Sequence, residues 1–417
     1  MNFRFFNAKI LTDNLVIDGE VWVCDDKICY VGPNKKTDMV FDREIDADNN
    51  LIMPGFVNAH AHTPSTVLRG ICDDKPLNDW LNTIIECEQK LTEQDAYYST
   101  MLGIMEYVRA GITTVEECYG HLEQVVKAYQ TSGLKARISI GFPNVGKTEK
   151  LSLQKQYEMV KNAGLTAVCY GHSIYGTNEE NFAELNTFAR ENNLPVSTHL
   201  SETLKEVGDC SAKFDLSPPE LLEDYGFFDR KATVYHCVHA DKDDLSLMAG
   251  YDVNIVTCPS SNLKLASGIA PLYAMQNLNL NIAIGTDGAY SNNSYDMFKE
   301  MFLAATLNKA TLNYAHILTA EEVVNMATKN GAKALGFNSG EIKQGFDADI
   351  IIVSLKGVHH QPLNNIISNI VYSAKSSDVL LTMVNGKILY ENGNYYIGED
   401  TNKIYEEVYK IKHKLGF

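Results

Sequence analysis

Eight short apolar runs, separated by longer amphipathic stretches, constrain this chain more than any other feature. They are FVNAHAH (56–62), TTVEECY (113–119), ARISIGF (136–142), AVCYGHS (167–173), PVSTHLS (195–201), TVYHCV (233–238), VNIVTCPS (253–260) and NIAIGTDG (281–288). Runs of this length, rich in β-branched residues, read as buried strands. Most are separated by stretches with apolar residues at helical spacing, such as EQDAYYSTMLGIMEYVRAG and EENFAELNTFARENN. Strand–helix alternation on this scale predicts an α/β fold, a parallel (β/α)₈ TIM barrel over residues 54–340.

The two ends follow another pattern. RFFNAKIL, VIDGEVWVCDDKICYVG and REIDADNNLIMP, and later EIKQGFDADIIIVSL and DVLLTMVNGKILYENG, read as strands divided by Gly, Asn and Asp turns. They predict a small β-sandwich domain assembled from both termini, residues 1–53 plus 341–417. The tail TNKIYEEVYKIKHKLGF has helical spacing and is expected to form a surface helix.

Composition narrows the class of partner. Lys and Arg number 36 against 53 Asp and Glu, leaving a net charge of −17 with no basic cluster. That argues against nucleic acid or an anionic membrane and for a small-molecule partner. No apolar segment with a small-residue cleavage site opens the chain, and no run of about 18 apolar residues occurs, so neither a signal peptide nor a membrane span is expected. Nine scattered cysteines without a C-x-x-C pair suit buried thiols in a reducing cytoplasm, not a disulfide framework.

Of eleven histidines, five fall at the C-terminal ends of predicted barrel strands: His60 and His62 on the first, His172 on the fourth, His199 on the fifth and His236 on the sixth. Asp287 ends the eighth. Those ends converge on one face of a barrel, where active sites lie. Histidines at i and i+2 on a strand point the same way, so His60 and His62 can reach one metal ion; the competing reading is two chance histidines in a turn. His199 is followed three residues later by Glu202, close enough to reach the reacting centre without binding the ion, or else a solvated Glu beside a loop histidine. Asp287 follows an apolar strand and a Gly, where a helix N-cap is an equal reading. Independent accidents would not gather all of these on one face. Three imidazoles and a carboxylate suit one Zn²⁺, with Fe²⁺ and Mn²⁺ as alternatives, and such an ion brings the pKa of a bound water towards about 7.

Several long segments carry a resemblance. PGFVNAHAHTPSTVLRG, HLSET, YHCVH, CPSSNLKLASGIAPL and GTDGAYSNNSYDMF resemble the amidohydrolase superfamily, and are similar to its branch of 5-methylthioadenosine/S-adenosylhomocysteine deaminases and triazine chlorohydrolases. FDADIIIV and MVNGKILYENG extend the likeness to the C-terminal β segment. The resemblance implies a homo-oligomer and a mononuclear site with His60, His62, His199 and Asp287 as ligands. Binuclear members use a carboxylated Lys on the fourth strand, where TAVCYGHS has none. It further implies that His236 holds and polarises the attacking water, that Asp287 accepts its proton, and that Glu202 protonates the adjacent ring nitrogen. Glu202 must therefore have a raised pKa. Tyr235 stands where relatives more often carry a small residue. The H-x-E with P-C-x-x-C signature of another deaminase class is absent.

For substrate, the resemblance puts Trp80 against the base, with core packing as the alternative. It makes Glu88 a ribose acceptor, the alternatives being a solvated helix face or Glu86 one turn away. It sets His172 at the purine edge, the alternative being a core histidine. Relatives that take S-adenosylhomocysteine carry arginines on and after the third strand. Here Arg137 stands early in that strand as a candidate substrate contact, Phe142 ends it, and the next basic residue is Lys147. An apolar Phe opposes a charged amino-acid tail. The expected activity is hydrolytic deamination of an adenine nucleoside with a short neutral 5′ tail, such as 5′-methylthioadenosine, ahead of S-adenosylhomocysteine. The alternatives are an aminohydrolase or chlorohydrolase acting on guanine, 8-oxoguanine, a pterin or a triazine, and a non-catalytic binding protein. His359-His360 reads as a solvated loop pair.

Overall fold

The computed structural model describes residues 1–75, 77–142 and 151–416, with residues 77–79 described in backbone only. Lys147 lies outside the described residues. Eight parallel strands form the barrel sheet in chain order: Phe56–Ala61, Ile112–Glu117, Lys135–Phe142, Thr166–Gly171, Val196–Leu200, Ala232–His236, Asn254–Thr257 and Asn281–Ile284. Each lies within, or one residue outside, a predicted run. Helices such as Glu93–Arg109, Glu179–Asn192 and Met297–Leu312 alternate with them and cover the outside. Thr92 and Asn178 cap the first two by accepting backbone N–H bonds from Asp95 and Asn181.

The first and eighth strands meet through specific polar contacts. The Asn58 side chain accepts from the Thr286 N–H at 2.8 Å and donates to the Thr286 hydroxyl at 2.7 Å. The Asp287 N–H donates to the His60 carbonyl at 3.0 Å. Gly285 lies against His60 so closely that a Cβ there would approach its backbone N and O to 2.9 Å. A glycine is what permits this approach.

The termini form a second sheet of nine strands, among them Asn2–Thr12, Leu15–Cys24, Lys27–Gly32, Leu51–Pro54, Ile350–Val353, Val379–Val384 and Lys387–Glu391. Its hydrogen bonding runs continuously from strand to strand around its own core. The run Ile350–Val353 is apolar throughout because both its faces are covered. Ile350 and Ile352 enter the sheet's own core, whereas Ile351 and Val353 join the core shared with the barrel. Asn385 and Gly386 both adopt positive φ (46° and 71°), as the tight hairpin between the last long strands requires. The tail helix, Thr401–Leu415, buries Ile404, Ile411 and Leu415.

Two expectations about cysteine and histidine need correction. Cys24 and Cys29 form a disulfide across the hairpin turn, while the other seven cysteines are free and buried. Cys24 pairs in register with Lys27, and Cys29 lies at the irregularity between the Val23–Ile28 and Trp22–Tyr30 pairs, so the folded hairpin, not a C-x-x-C spacing, brings the two thiols together. His359 and His360 are not a solvated pair: His360 is buried, and both Nε2 atoms face the same Asp378 oxygen at 2.9 and 3.2 Å. Among the described residues, no helix is long and apolar enough to cross a membrane.

Lys135, at the start of the third barrel strand, ties the two sheets together. Its ammonium donates to Asp347 at 2.7 Å and to Asp349 at 2.5 Å, and Asp349 is 1% exposed. Removing one partner of a buried ion pair leaves uncompensated charge. Lys135→Met is expected to lower unfolding free energy by about 3–5 kcal/mol, read from its urea midpoint against the parent.

Candidate metal centre and active site

The strand ends bring the predicted residues to one place. His60 lies within the first strand and His62 just beyond it; His199 is the penultimate residue of the fifth. One ring nitrogen from each of the three lies within 4.8 Å of the others, and all three residues are buried. Asp287, three residues past the eighth strand, sets its Oδ1 3.6 Å from His60 Nε2 and 3.3 Å from His62 Nε2. Ligands at about 2.0–2.2 Å from a tetrahedral ion are separated by roughly 3.4 Å, so the two Asp287 spacings match one ion's coordination shell. Asp287 is not the cap of the following short helix, which is capped at Gly288 without a side chain. Its Oδ2 accepts from Ser261 at 2.5 Å and Ser291 at 2.9 Å, while Oδ1 accepts the Gly288 N–H at 2.8 Å and faces the histidines.

Electrostatics keep the imidazoles neutral. Burial pushes His60 and His199 well below the ordinary range, and surrounding histidines add to it. For His62, burial outweighs the opposing pull of Asp287 and of the Cys118 carbonyl. Two tautomers are set by the backbone: His62 Nδ1–H donates to the Cys118 carbonyl, and His199 Nδ1–H to the His172 carbonyl at 2.7 Å. Each then has a free Nε2 lone pair. Both ring nitrogens of His60 are buried without a partner, which an ion would relieve at one of them. A neutral, oriented imidazole is the form that binds a metal. The fourth strand, Thr166–Gly171, carries no lysine, so it offers no carbamate to bridge a second ion.

Around this centre stand the groups that could move protons. His236 ends the sixth strand, with its ring 5.2 Å from that of His199 and its Nδ1 2.8 Å from the Asn262 side-chain oxygen. Burial would depress its pKa, but Glu202, Asp287 and the Asn262 bond together raise it. Glu202 is 5% exposed, and burial lifts its carboxyl above the usual range, with His236 pulling the other way. Ser201, His236 and Asp287 all adopt positive φ (49°, 72° and 61°), a strained conformation costing about 1–3 kcal/mol each and recurrent at functional sites.

The substrate candidates separate. Trp80 is buried and stacks on Tyr290 (4.7 Å, 14°), which in turn meets His62 edge-on at 6.1 Å. Glu88 is buried and Glu86 exposed, so Glu88 is not a solvated helix residue. It accepts from the Tyr119 hydroxyl at 2.6 Å, and burial pushes its pKa up to about 7. His172 is half-buried and stacks on His199 at 4.8 Å; burial holds its pKa down to about 3. Phe142, partly buried, offers its carbonyl to the His172 N–H at 3.2 Å. Arg137 does not join them. Its guanidinium is 1% exposed and is spent on Glu116, the Ala334 carbonyl and the Thr233 hydroxyl. An early position in the strand places it in the barrel interior, where it cannot meet a substrate tail.

Sequence reasoning also missed three contributors. Tyr290 forms the wall between Trp80 and His62. Glu206 accepts the Ser201 and Glu202 N–H groups at 3.0 and 2.8 Å and fixes the turn that carries Glu202; the signal was a second acid four residues after the first. Glu117 accepts the Thr63 N–H at 3.0 Å and the Tyr129 hydroxyl at 2.8 Å just past the His60–His62 strand.

Comparison with known proteins agrees with this geometry. Residues 51–389 match the amidohydrolase family. A 5-methylthioadenosine/S-adenosylhomocysteine deaminase of Pyrococcus furiosus is 37% identical over 95% of this chain and 96% of its own. A 5′-deoxyadenosine deaminase of Methanocaldococcus jannaschii is 35% identical over 96% and 99%. A zinc-bound adenosine deaminase structure from Xanthomonas campestris superposes with a TM-score of 0.92 at 31% identity, covering 99% and 98%. With its barrel, its histidine cluster and matches of this extent, the chain belongs to the amidohydrolase family.

Proposed function

We propose that this hydrolase is a zinc-dependent deaminase of adenine nucleosides, acting best on those with a short, neutral 5′ substituent such as 5′-methylthioadenosine. The observation that carries this reading is the closed shell of three neutral imidazoles and the Asp287 oxygen, with Glu202 and His236 beside it. Deaminases of adenine nucleosides among its relatives support the substrate class. A divalent ion held by His60, His62, His199 and Asp287 supplies Lewis acidity towards water at neutral pH. Seven buried free thiols suit a reducing cytoplasm, with the Cys24–Cys29 pair as the exception.

The chain's own residues account for the proton movements. Water adds to the ring carbon bearing the amino group. Asp287 takes its proton, and the neighbouring ring nitrogen gains one from Glu202, which removes aromatic resistance to attack. His236, with Nδ1 fixed on Asn262, presents Nε2 to hold the water in line. The C–N bond then breaks, ammonia leaves carrying the proton collected by Asp287, and the remaining hydroxyl proton is lost as the ring carbonyl forms, which restores the carboxyl of Glu202. Trp80 and Tyr290 provide an aromatic wall for the base, His172 a polar edge, and Glu88 an acceptor for ribose hydroxyls. With Arg137 engaged elsewhere and Phe142 ending the third strand, no described cation on that strand awaits an amino-acid carboxylate.

Two tests follow from these assignments. Glu202 must be protonated to act, and its raised pKa extends the protonated form to higher pH than for an ordinary Glu, so kcat should fall on the alkaline side as the carboxyl ionises. Glu202→Gln should lower kcat by about 10²–10⁴ while zinc content, measured by atomic absorption, stays at the parent level; loss of zinc instead would make Glu202 a ligand. The second test is ammonia release from methylthioadenosine, 5′-deoxyadenosine, adenosine, S-adenosylhomocysteine, guanine, 8-oxoguanine, a pterin and a chlorotriazine. Nucleosides with neutral tails should lead, and Glu88→Gln should abolish turnover of nucleosides. Activity confined to free bases would discard the ribose assignment and leave the metal site standing.

A further inference from the structure

His60 is held differently from the two imidazoles that converge with it. His62 and His199 each anchor Nδ1 on a backbone carbonyl. Neither nitrogen of His60 has a hydrogen-bond partner, although the residue is wholly buried. What supports it is a flat face. The Tyr235 ring lies on the imidazole with centroids 3.9 Å apart and planes inclined by 22°. The same ring meets His199 edge-on at 5.3 Å.

Tyr235 is itself fixed from behind. Its hydroxyl donates to Glu116 Oε1 at 2.6 Å. The other Glu116 oxygen pairs with Arg137, which is tied to the Ala334 carbonyl at 2.9 Å and the Thr233 hydroxyl at 3.2 Å. His60, Tyr235, Glu116 and Arg137 are each 1% exposed or less. The result is a continuous buried stack running from an ion pair in the barrel interior to a ring at the metal centre. The χ2 torsion of histidine is broad and shallow, so a ring lacking both a hydrogen bond and a stack would not hold one orientation.

We infer that Tyr235 is the positioning residue for His60, its stacked ring doing for that ligand what backbone carbonyls do for His62 and His199, with the Glu116–Arg137 pair as its anchor. The inference rests on the reading of His60 as a metal ligand. Partners that orient a ligating histidine change metal affinity by about 10–100-fold when removed.

The test is zinc affinity of the full-length protein, measured after stripping by competition with a chromophoric chelator, for the parent, Y235F, Y235L, E116Q and H60A. The visible spectrum of each Co²⁺-loaded protein is the second readout. Y235F keeps the flat face but gives up the hydroxyl's bond to Glu116, so, like E116Q, it should weaken zinc binding less than Y235L does. Y235L keeps bulk without a face and should bind zinc about 10–100-fold more weakly, with altered Co²⁺ bands. E116Q loosens the anchor and should weaken binding less than Y235L; it carries the test if Y235L does not fold. Parent-like affinity and spectra in Y235L, or in E116Q where Y235L does not fold, would overturn the inference. If H60A binds zinc as tightly as the parent, the metal reading of His60 itself fails, and that result is distinct from parent-like Y235L alone.

Discussion

The seam between the first and eighth barrel strands is the contact on which the rest of the site depends. Asn58 and Thr286, 228 positions apart, bond to each other side chain to main chain and side chain to side chain. The His60 carbonyl takes the Asp287 N–H. Gly285 allows the two backbones to approach because it has no Cβ to place between them. Without this closure the histidines of the first strand and the aspartate after the eighth would lie at opposite edges of an open sheet. With it, Asp287 Oδ1 stands within 3.6 Å of both His60 and His62. A barrel's closure and its catalytic geometry are here one set of contacts.

Burial does the electrostatic work once the groups are assembled. Desolvation disfavours charge, so the same surroundings make imidazoles better ligands and carboxyls better acids. Three histidines become neutral donors, and Glu202 retains its proton to higher pH. His236 is the exception, because two carboxylates and Asn262 offset its desolvation. These effects oppose each other within one small volume, and the positive φ values of Ser201, His236 and Asp287 show that the backbone is held away from its relaxed conformations there. The remainder of the barrel, with its continuous apolar core, holds that strain in place.

Much of the fold was legible because its signals are local. Buried parallel strands are apolar along their whole length, and the eight runs stand out between amphipathic helices. The run DADIIIV was legible as a strand, but not the division of its side chains between two cores. The disulfide was not legible, since Cys24 and Cys29 meet across an irregular hairpin and not through a C-x-x-C spacing. Arg137 was misread for a related reason. Its position early in a strand says which end of the barrel it occupies, but a cation in a site-lining segment suggested a substrate contact. Its partners, Glu116 and Thr233, come from neighbouring and distant strands and are visible only in three dimensions.

The amino-acid sequence by itself determined the strand–helix alternation, the placement of histidines and acids at strand ends, and so the face on which chemistry occurs, because periodicity and turn residues act over a few positions. Tertiary structure alone decided which of those residues have free lone pairs, which are buried enough to shift their pKa, and which cation is spent inside the barrel. It also decided that Tyr235 lies flat on His60 and that Glu206 holds the turn behind Glu202. These properties depend on distances between residues far apart in the chain, and only barrel closure fixes those distances.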